Sequence, residues 1–275
     1  DYFKDMQSLK DAFLSFINKI PFYGLAIVCW ENALLRELIP SIHRRFITYG
    51  LSDEADIYAA NIEKDFMSTS FDVIYKKDLI GRFTLPVPGT HNVLNALACI
   101  GVAQELKMDV LSISEALQSF SGIQRRFEFK GEGRGIKVYD DYGHHPTEIR
   151  ATLAAGNENK KYLKEKGRLF VIFQPHRYTR TADLMDEFAR SFGNADVLLL
   201  LDIYPAGEKP IEGITSDLLL EKIKGEGHGV VIRTDKEGAV TYAVSEMKKG
   251  DILLTLGAGD VWKLGEKVLE GLNAD

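Results

Sequence analysis

Apolar residues recur at Leu9, Phe13, Phe16, Ile17 and Ile20, the spacing of one helix face, and Pro21 closes the run. Gly24 to Cys29 is a short continuous apolar run with β-branched residues, which predicts a buried strand. Ala33 to Ile39 reads as a helix stopped by Pro40, and Arg45 to Tyr49 as a second strand turned by Gly50. Residues 55–88 alternate loosely between polar and apolar, which predicts antiparallel strands such as Phe66–Tyr75 and Leu79–Val87. Pro88-Gly89-Thr90-His91-Asn92 turns the chain into a helix carrying Val93, Leu94, Ala96, Leu97, Ile100 and Ala103. A further helix covers about Ser112 to Phe120. The run Ser121-Gly122-Ile123-Gln124-Arg125-Arg126-Phe127 breaks the periodicity, so a domain boundary is expected there, between residues 1–122 and 123–275.

After that break the texture becomes a regular alternation of strand and helix. Strands are expected at Ile136–Tyr142, Arg168–Gln174, Val197–Tyr204, Gly229–Arg233 and Asp251–Gly257, with helices near 147–164, 181–193, 216–224, 236–248 and 260–272. Val197 to Leu201 is apolar on both faces, as a central parallel strand must be. The pattern predicts an α/β fold with a doubly wound, mainly parallel, Rossmann-like sheet in the second domain. In such sheets the chemistry gathers at the carboxyl ends of the strands. Polar clusters stand at those ends: Asp140-Asp141-Tyr142-Gly143-His144-His145, Gln174-Pro175-His176-Arg177-Tyr178-Thr179-Arg180, Asp202-Ile203-Tyr204-Pro205-Ala206-Gly207-Glu208 and Gly257-Ala258-Gly259-Asp260.

Composition narrows the classes of function. The 275 residues suit two domains, and 45% apolar with 27% charged residues is the ordinary globular mix, which excludes disordered, collagenous and disulfide-scaffold proteins. The formal net charge of −6 lends no support to a nucleic-acid-binding surface. Cys29 and Cys99 each lie in an apolar run without Cys-x-x-Cys spacing, which argues for a reducing, cytoplasmic setting and against a structural zinc site. No apolar stretch is long enough to span a membrane, and no secretory leader pattern is read at the start. The chain opens on Asp1 in what already reads as helix, so it is expected to be a piece of a longer protein.

Arg177 and Arg180 lie three residues apart beside an expected helix start, where guanidinium forks and amide donors converge on an anion. Asp141, Tyr142, His144 and His145 crowd one strand end; acids, a phenol and imidazoles there can bind a metal, hold a ribose or move protons. No third ligand stands at metal spacing, so no metal site is assigned. His91, Asn92 and Asn95 share the first turn of a helix, where Asn can cap the helix or pair with an adenine edge. Arg125 and Arg126 can reach a ligand or stay solvated. Gly131-Glu132-Gly133-Arg134-Gly135 precedes a strand rather than opening a helix and reads as a turn; Gly257-Ala258-Gly259 reads as tight packing. No Gly-x-x-x-x-Gly-Lys-Ser/Thr run occurs.

Together these runs resemble the Mur ligase family. The resemblance rests on Pro21-Phe22-Tyr23-Gly24, Pro88-Gly89-Thr90-His91-Asn92-x-x-Asn95-Ala96, Arg125-Arg126-Phe127, Asp140 to Glu148, Phe173 to Thr181, Asp202-x-Tyr204-x-Ala206-Gly207-Glu208-x-Pro210-Ile211 and Gly257-Ala258-Gly259. One departure is Cys29-Trp30-Glu31-Asn32, where relatives carry an Asp-Asp pair. The resemblance implies a partial central ATPase-type α/β domain followed by a complete amino-acid-binding domain. An N-terminal UDP-binding domain, the phosphate loop and most magnesium ligands would lie outside this chain, which by itself would be inactive. The implied reaction is ATP- and Mg2+-dependent joining of L-alanine to the carboxylate of UDP-N-acetylmuramate through an acyl phosphate. By resemblance His91, Asn92 and Asn95 hold adenine, Asp141 the ribose and Arg126 the phosphates. Tyr142, His144, His176, Arg177 and Arg180 would surround alanine and the reacting phosphate, His144, His176 and the two arginines as catalytic groups. A tripeptide-attaching relative fits the His176–Arg180 run poorly. A non-catalytic nucleotide- or amino-acid-binding module is the reading from another class. No nucleic-acid or membrane partner is implied.

Overall fold

The structure is a computed structural model that describes all residues except 1, 2, 4, 66, 67, 121, 161–166 and 275. The chain divides into two compact units, Asp1–Ser121 and Gly122–Asp275. Both are α/β, each built on one mainly parallel or mixed sheet.

The first unit opens with α1 (Met6–Asn18), whose Asp5 side chain caps the Ser8 amide. Next come β1 (Ala26–Cys29), α2 (Ala33–Leu38), β2 (Phe46–Gly50), β3 (Ile57–Lys64), β4 (Thr69–Tyr75), β5 (Asp78–Leu85), α3 (Thr90–Glu105) and α4 (Val110–Gln118). The sheet order is β1-β2-β3-β4-β5. Strands β1 to β3 are parallel and β4 and β5 antiparallel. The loose alternation over 55–88 therefore does mark antiparallel pairing; the expected start at Phe66 lies outside the described residues. α3 buries Val93, Leu97 and Ile100 against Ile57, Phe71 and Phe83, which fixes its first turn at the end of β5. The expected inner face of α1 is corrected: only Ile17 is buried, and Phe13 and Phe16 are exposed because the helix lies on the sheet with one edge of its stripe.

The second unit contains β6 (Glu128–Gly133), β7 (Ile136–Asp141), α5 (Pro146–Lys160), β8 (Leu169–Phe173), α6 (Tyr178–Asp183), α7 (Met185–Ala189), β9 (Val197–Leu200), α8 (Ser216–Gly225), β10 (Val230–Arg233), α9 (Lys236–Glu246), β11 (Ile252–Leu256) and α10 (Trp262–Asn273). The sheet order is β10-β9-β8-β11-β7-β6, parallel except for the edge strand β6. β8, β9 and β11 are buried at every position, because helices cover both faces. On one face Phe170, Ile172, Val197, Leu199 and Leu253 form a core with Val138, Ala243 and Val268.

Three expectations need correction. The glycine-rich run 131–135 is not only a turn: Gly131 and Gly133 belong to β6, bulged between Phe129 and Gly131, and the turn proper is Arg134-Gly135, both at positive φ. An edge strand tolerates glycines that a central one would not. The single helix expected over 181–193 is two short ones starting earlier, at Tyr178, and parted at Leu184. β9 ends at Leu200 rather than Tyr204, after which a lone bridge joins His176 to Tyr204. Pro175 has no N–H to continue the ladder on that side.

Candidate active site

The carboxyl ends of β7, β8 and β9 bring four rings of the second unit into a row. Tyr142 and His144 meet edge to face with centroids 5.2 Å apart, His144 and His176 lie 5.9 Å apart, and His176 stacks on Tyr204 at 5.5 Å with an interplanar angle of 8°. Backbone bonds pin the last pair: the Tyr204 amide donates to the Pro175 carbonyl and the Arg177 amide to the Tyr204 carbonyl, each at 2.8 Å. At the Tyr142 end the Arg125 guanidinium lies over the ring, 4.9 Å from its centroid.

Local sequence explains why one histidine of the His144-His145 pair enters the row and the other does not. Pro146 starts α5, and the Thr147 amide donates to His145 Nδ1 at 3.3 Å, so His145 serves the helix start. Glu148 reaches back to accept the His144 and His145 amides, the return half of a capping box. His144 Nδ1 lies 3.0 Å from the Tyr142 carbonyl. Burial pushes the His144 pKa below the ordinary histidine value, against the opposing pull of the Tyr142 carbonyl and Glu148. His176 is pushed down further, to about 4, by burial and then by the Arg180, His144 and Arg177 charges. Both shifts favour the neutral imidazole at pH 7.

Arg180 Nη1 lies 3.3 Å from both the Nδ1 and the carbonyl of His176. Arg177 caps the start of α6 at φ 73, a positive-φ conformation uncommon for any residue but glycine, and its carbonyl accepts the Thr181 hydroxyl at 2.8 Å. Glu208 accepts the Thr179 amide and hydroxyl and so ties the loop after β9 to the α6 start. Asp141 is 4% exposed; its carboxylate accepts the Phe127 amide at 2.8 Å and the Gly143 amide at 2.7 Å. Desolvation raises its pKa despite those bonds. Arg126 is half exposed, 3.6 Å from Glu148. Beside this group, a cavity of about 450 Å³ opens among Gln174, Leu201, Asp202, Asp235, Lys236 and Glu237. The Gln174 Oε1 atom is buried with no partner.

In the first unit, Gly89 at φ 102 admits the chain to α3, and His91, Asn92 and Asn95 follow on its first turns. His91 and Asn95 are exposed and one helical turn apart on the same face. Asn92 differs: its amide donates to the Pro88 carbonyl at 2.7 Å, which fastens the turn and leaves its Oδ1 as the group a ligand can use.

Comparison with known proteins places both units. The Mur ligase middle domain matches residues 1–103, and the glutamate ligase domain of Mur ligases matches residues 125–259. The chain belongs to the Mur ligase family. It is 49% identical over 276 residues to the UDP-N-acetylmuramate–L-alanine ligase of Geotalea uraniireducens, covering all of this chain and 59% of that protein. It is 50% identical over 272 residues to the enzyme of the same name from Geobacter sulfurreducens, covering 98% of this chain and 58% of the relative. The crystal structure of a UDP-N-acetylmuramate-alanine ligase from Thermotoga maritima shares the fold with a TM-score of 0.74 at 24% identity, over 97% of this chain and 55% of that one. The chain thus spans somewhat under three fifths of the length of the curated relatives it matches.

Within this Mur ligase piece the structure gives definite partners to groups that the sequence names without a settled role. Arg125, taken with Arg126 as a residue that can reach a ligand, is turned inward. Its Nε donates to Asp140 at 2.9 Å, and its terminal nitrogens donate to the Gly257 and Gly259 carbonyls at 2.6 and 3.2 Å. Tyr204 and Gly259 are the other two: a Cβ on Gly259 would stand 3.1 Å from the Tyr204 ring and 2.7 Å from Gln174 Oε1. The glycine pair after β11 therefore exists so that backbone can lie against the end of the ring row. The resemblance to Mur ligases implies magnesium; among the described residues no group of three or more His, Cys, Asp or Glu is arranged to hold a metal ion. Among the described residues no helix is long and apolar enough to cross a membrane.

Proposed function

We propose that this chain is the ATP-binding and amino-acid-binding portion of an enzyme that joins L-alanine to the carboxylate of UDP-N-acetylmuramate at the expense of ATP. The observation that carries the reading is the neutral pair His144 and His176 with Arg180 at the carboxyl ends of β7 and β8. It occurs in a chain about half identical, along its whole length, to relatives bearing that enzyme's name.

The groups suit the chemistry. A free amino acid brings a carboxylate, and Arg177 and Arg180 offer forked donors to it or to the phosphate. Amide formation from an acyl phosphate needs a proton taken from the amine and negative charge stabilised on oxygen, which two neutral imidazoles and an arginine can do. In the first unit, the exposed Asn95 amide, the free Oδ1 of Asn92 and the His91 ring offer the mixed donors and acceptors that an adenine edge requires. Asp141 accepts one backbone amide on each oxygen and a hydrogen bond from the Thr152 side chain, which leaves a lone pair for a ribose hydroxyl at the turn. Half-exposed Arg126 is the cation offered to the phosphates. ATP supplies the phosphoryl group that activates the carboxylate. These reactants are cytoplasmic small molecules, and the proposal includes neither a nucleic-acid nor a membrane partner.

The test uses the longer protein that carries this chain, with ATP, magnesium, UDP-N-acetylmuramate and L-alanine. Phosphate release that requires both the UDP-sugar and alanine is the expected result. Release that ignores alanine, or that responds better to a tripeptide, overturns the reading.

A further inference from the structure

The partners of the two imidazoles are chemically one-sided, and that fixes where each ring keeps its proton. His144 Nδ1 faces a carbonyl oxygen, that of Tyr142, 3.0 Å away. A carbonyl only accepts, so Nδ1 must carry the hydrogen and Nε2 keeps its lone pair. His176 Nδ1 faces Arg180 Nη1 at 3.3 Å. A guanidinium only donates, so this Nδ1 must hold the lone pair and the hydrogen sits on Nε2. Two neutral rings 5.9 Å apart thus offer opposite functions on their remaining nitrogens, an acceptor on His144 and a donor on His176.

We propose that His144 and His176 are a base–donor pair locked in opposite tautomers, and that Tyr204 is the positioning residue that holds His176 in its state. The proposal rests on the alanine-ligase reading for its substrate. There the amine nitrogen attacks the acyl-phosphate carbonyl carbon. The C–N bond forms, and the bond from that carbon to the phosphate oxygen breaks, its electron pair leaving on phosphate. One N–H proton passes to His144 Nε2 and from there to the departing phosphate. His176 Nε2–H donates a hydrogen bond to the oxygen on which negative charge grows. A neutral imidazole that already accepts from Arg180 does this without surrendering its proton.

Tyr204 is suited to the positioning role by geometry. Its ring covers one face of His176 at an 8° interplanar angle, in the offset range that aromatic pairs prefer. Gly259 also lies against the tyrosine, where a Cβ would come within 3.1 Å of the ring. The Tyr204 amide and carbonyl are both tied to the Pro175–Arg177 segment, so the backbones that carry the two rings are held side by side. His176 faces Arg180, Arg177 and His144, with Glu208 opposing them; His144 faces Glu148, Arg180 and Arg126. Burial is the largest cause of the lowered His176 pKa, and the Tyr204 ring supplies part of that burial.

The tautomers can be read in this 275-residue chain without any substrate. Two-bond nitrogen–proton correlation spectra of the 15N-labelled protein distinguish the tautomers, and His144→Gln and His176→Gln assign the two signals among the six histidines. At pH 7.5 His144 is expected as Nδ1–H and His176 as Nε2–H, with His176 still neutral at pH 5. Tyr204→Phe should leave the His176 titration in place. Tyr204→Ala should raise its midpoint by about one unit, a tenfold change in proton affinity. Like tautomers on the two rings, or a His176 midpoint near 6.5 in the wild type, overturn the proposal, and neither result depends on how Tyr204→Ala folds. An unmoved midpoint in a folded Tyr204→Ala removes the positioning role. In the longer protein, His144→Gln should abolish the acid limb of the kcat–pH profile. His176→Gln should lower kcat and keep that limb; the reverse pattern refutes the assignment. Expected tautomers in a protein with no alanine-dependent turnover would sink the ligase reading instead, so the two failures are told apart.

Discussion

Replacing Arg125 with alanine should destabilise the second unit without touching the ring row's histidines directly. Asp140 is 1% exposed and holds an ion pair with Arg125 Nε at 2.9 Å; its other oxygen accepts the Thr255 hydroxyl at 2.7 Å. Arg125 also bonds the Gly257 and Gly259 carbonyls, so its loss strands a buried carboxylate and two carbonyls together. Removing one partner of a buried pair costs about 3–5 kcal/mol. The Arg125 side chain itself is 22% exposed, so water can enter from its side and the low end applies, about 3 kcal/mol. With a urea slope of about 2 kcal/mol per molar, the unfolding midpoint should fall by about 1.5 M. Fluorescence in a Trp30→Phe background follows Trp262, the tryptophan at the start of α10 in the same unit. Adding Asp140→Asn removes the stranded charge and should restore about half the loss, a coupling of 1–2 kcal/mol in order of magnitude. A loss below about 1 kcal/mol, or a double variant no more stable than the sum of the singles, would show that the guanidinium is a solvated linker group after all.

Other outcomes follow from the same geometry. His176 is held at about 4 when folded against 6.5 unperturbed. The unfolded chain therefore binds more protons between those values, and stability should fall as pH drops through that window and level off below it. Urea midpoints at pH 7, 5.5 and 4.5 should show this slope, and His176→Gln should flatten it. Gly259→Ala puts a methyl 2.7 Å from Gln174 Oε1 and 3.1 Å from the Tyr204 ring, and should cost about 1–3 kcal/mol by overpacking, seen in thermal denaturation. In the longer protein, Asn95→Ala should raise the KM for ATP more than that for alanine, by an amount worth about 0.5–1.5 kcal/mol; an unchanged ATP dependence returns Asn95 to the helix surface. Arg180→Ala there should cut kcat/KM for alanine about ten- to a hundredfold with UDP-sugar binding intact, as titration calorimetry would show, and Arg180→Lys should restore only part.

Much of the architecture is legible in the chain because its signals are local. Val197–Leu200 is buried at every position, as its continuous apolar run requires, and the strand–helix alternation maps onto the parallel sheet. The places where local reading falls short have tertiary causes. Gly131 and Gly133 argue against a strand, and only pairing with β7 along an open edge makes β6 one. Phe13 and Phe16 carry the right helical spacing, but spacing alone does not say how much of a stripe the sheet will cover. The histidines, arginines and tyrosine of the candidate site stand out because strand ends concentrate chemistry, which is a property of the fold class rather than of any contact.

What each of those side chains does is a different question, and neighbours in sequence answer it in opposite ways. Arg125 and Arg126 are the same residue type side by side, yet Arg125 at φ 59 turns inward to Asp140 while Arg126 stays half exposed beside Glu148. His144 and His145 divide likewise, one into the ring row and one onto the start of α5. Neither choice follows from composition or period. Each follows from which acceptor or donor the fold brings within 3.3 Å. The same logic assigns the protons: a carbonyl opposite one imidazole and a guanidinium opposite the other make identical side chains into an acceptor and a donor. Arg125 closes this arrangement from behind, since it sits on the Tyr142 ring at one end of the row and bonds Gly259, the backbone against which Tyr204 rests, at the other. A change at Arg125 should therefore reach His176 through Gly259 and Tyr204, and the nitrogen spectrum of His176 in Arg125→Lys, where the ammonium can keep Asp140 but not both carbonyls, is the place to see it.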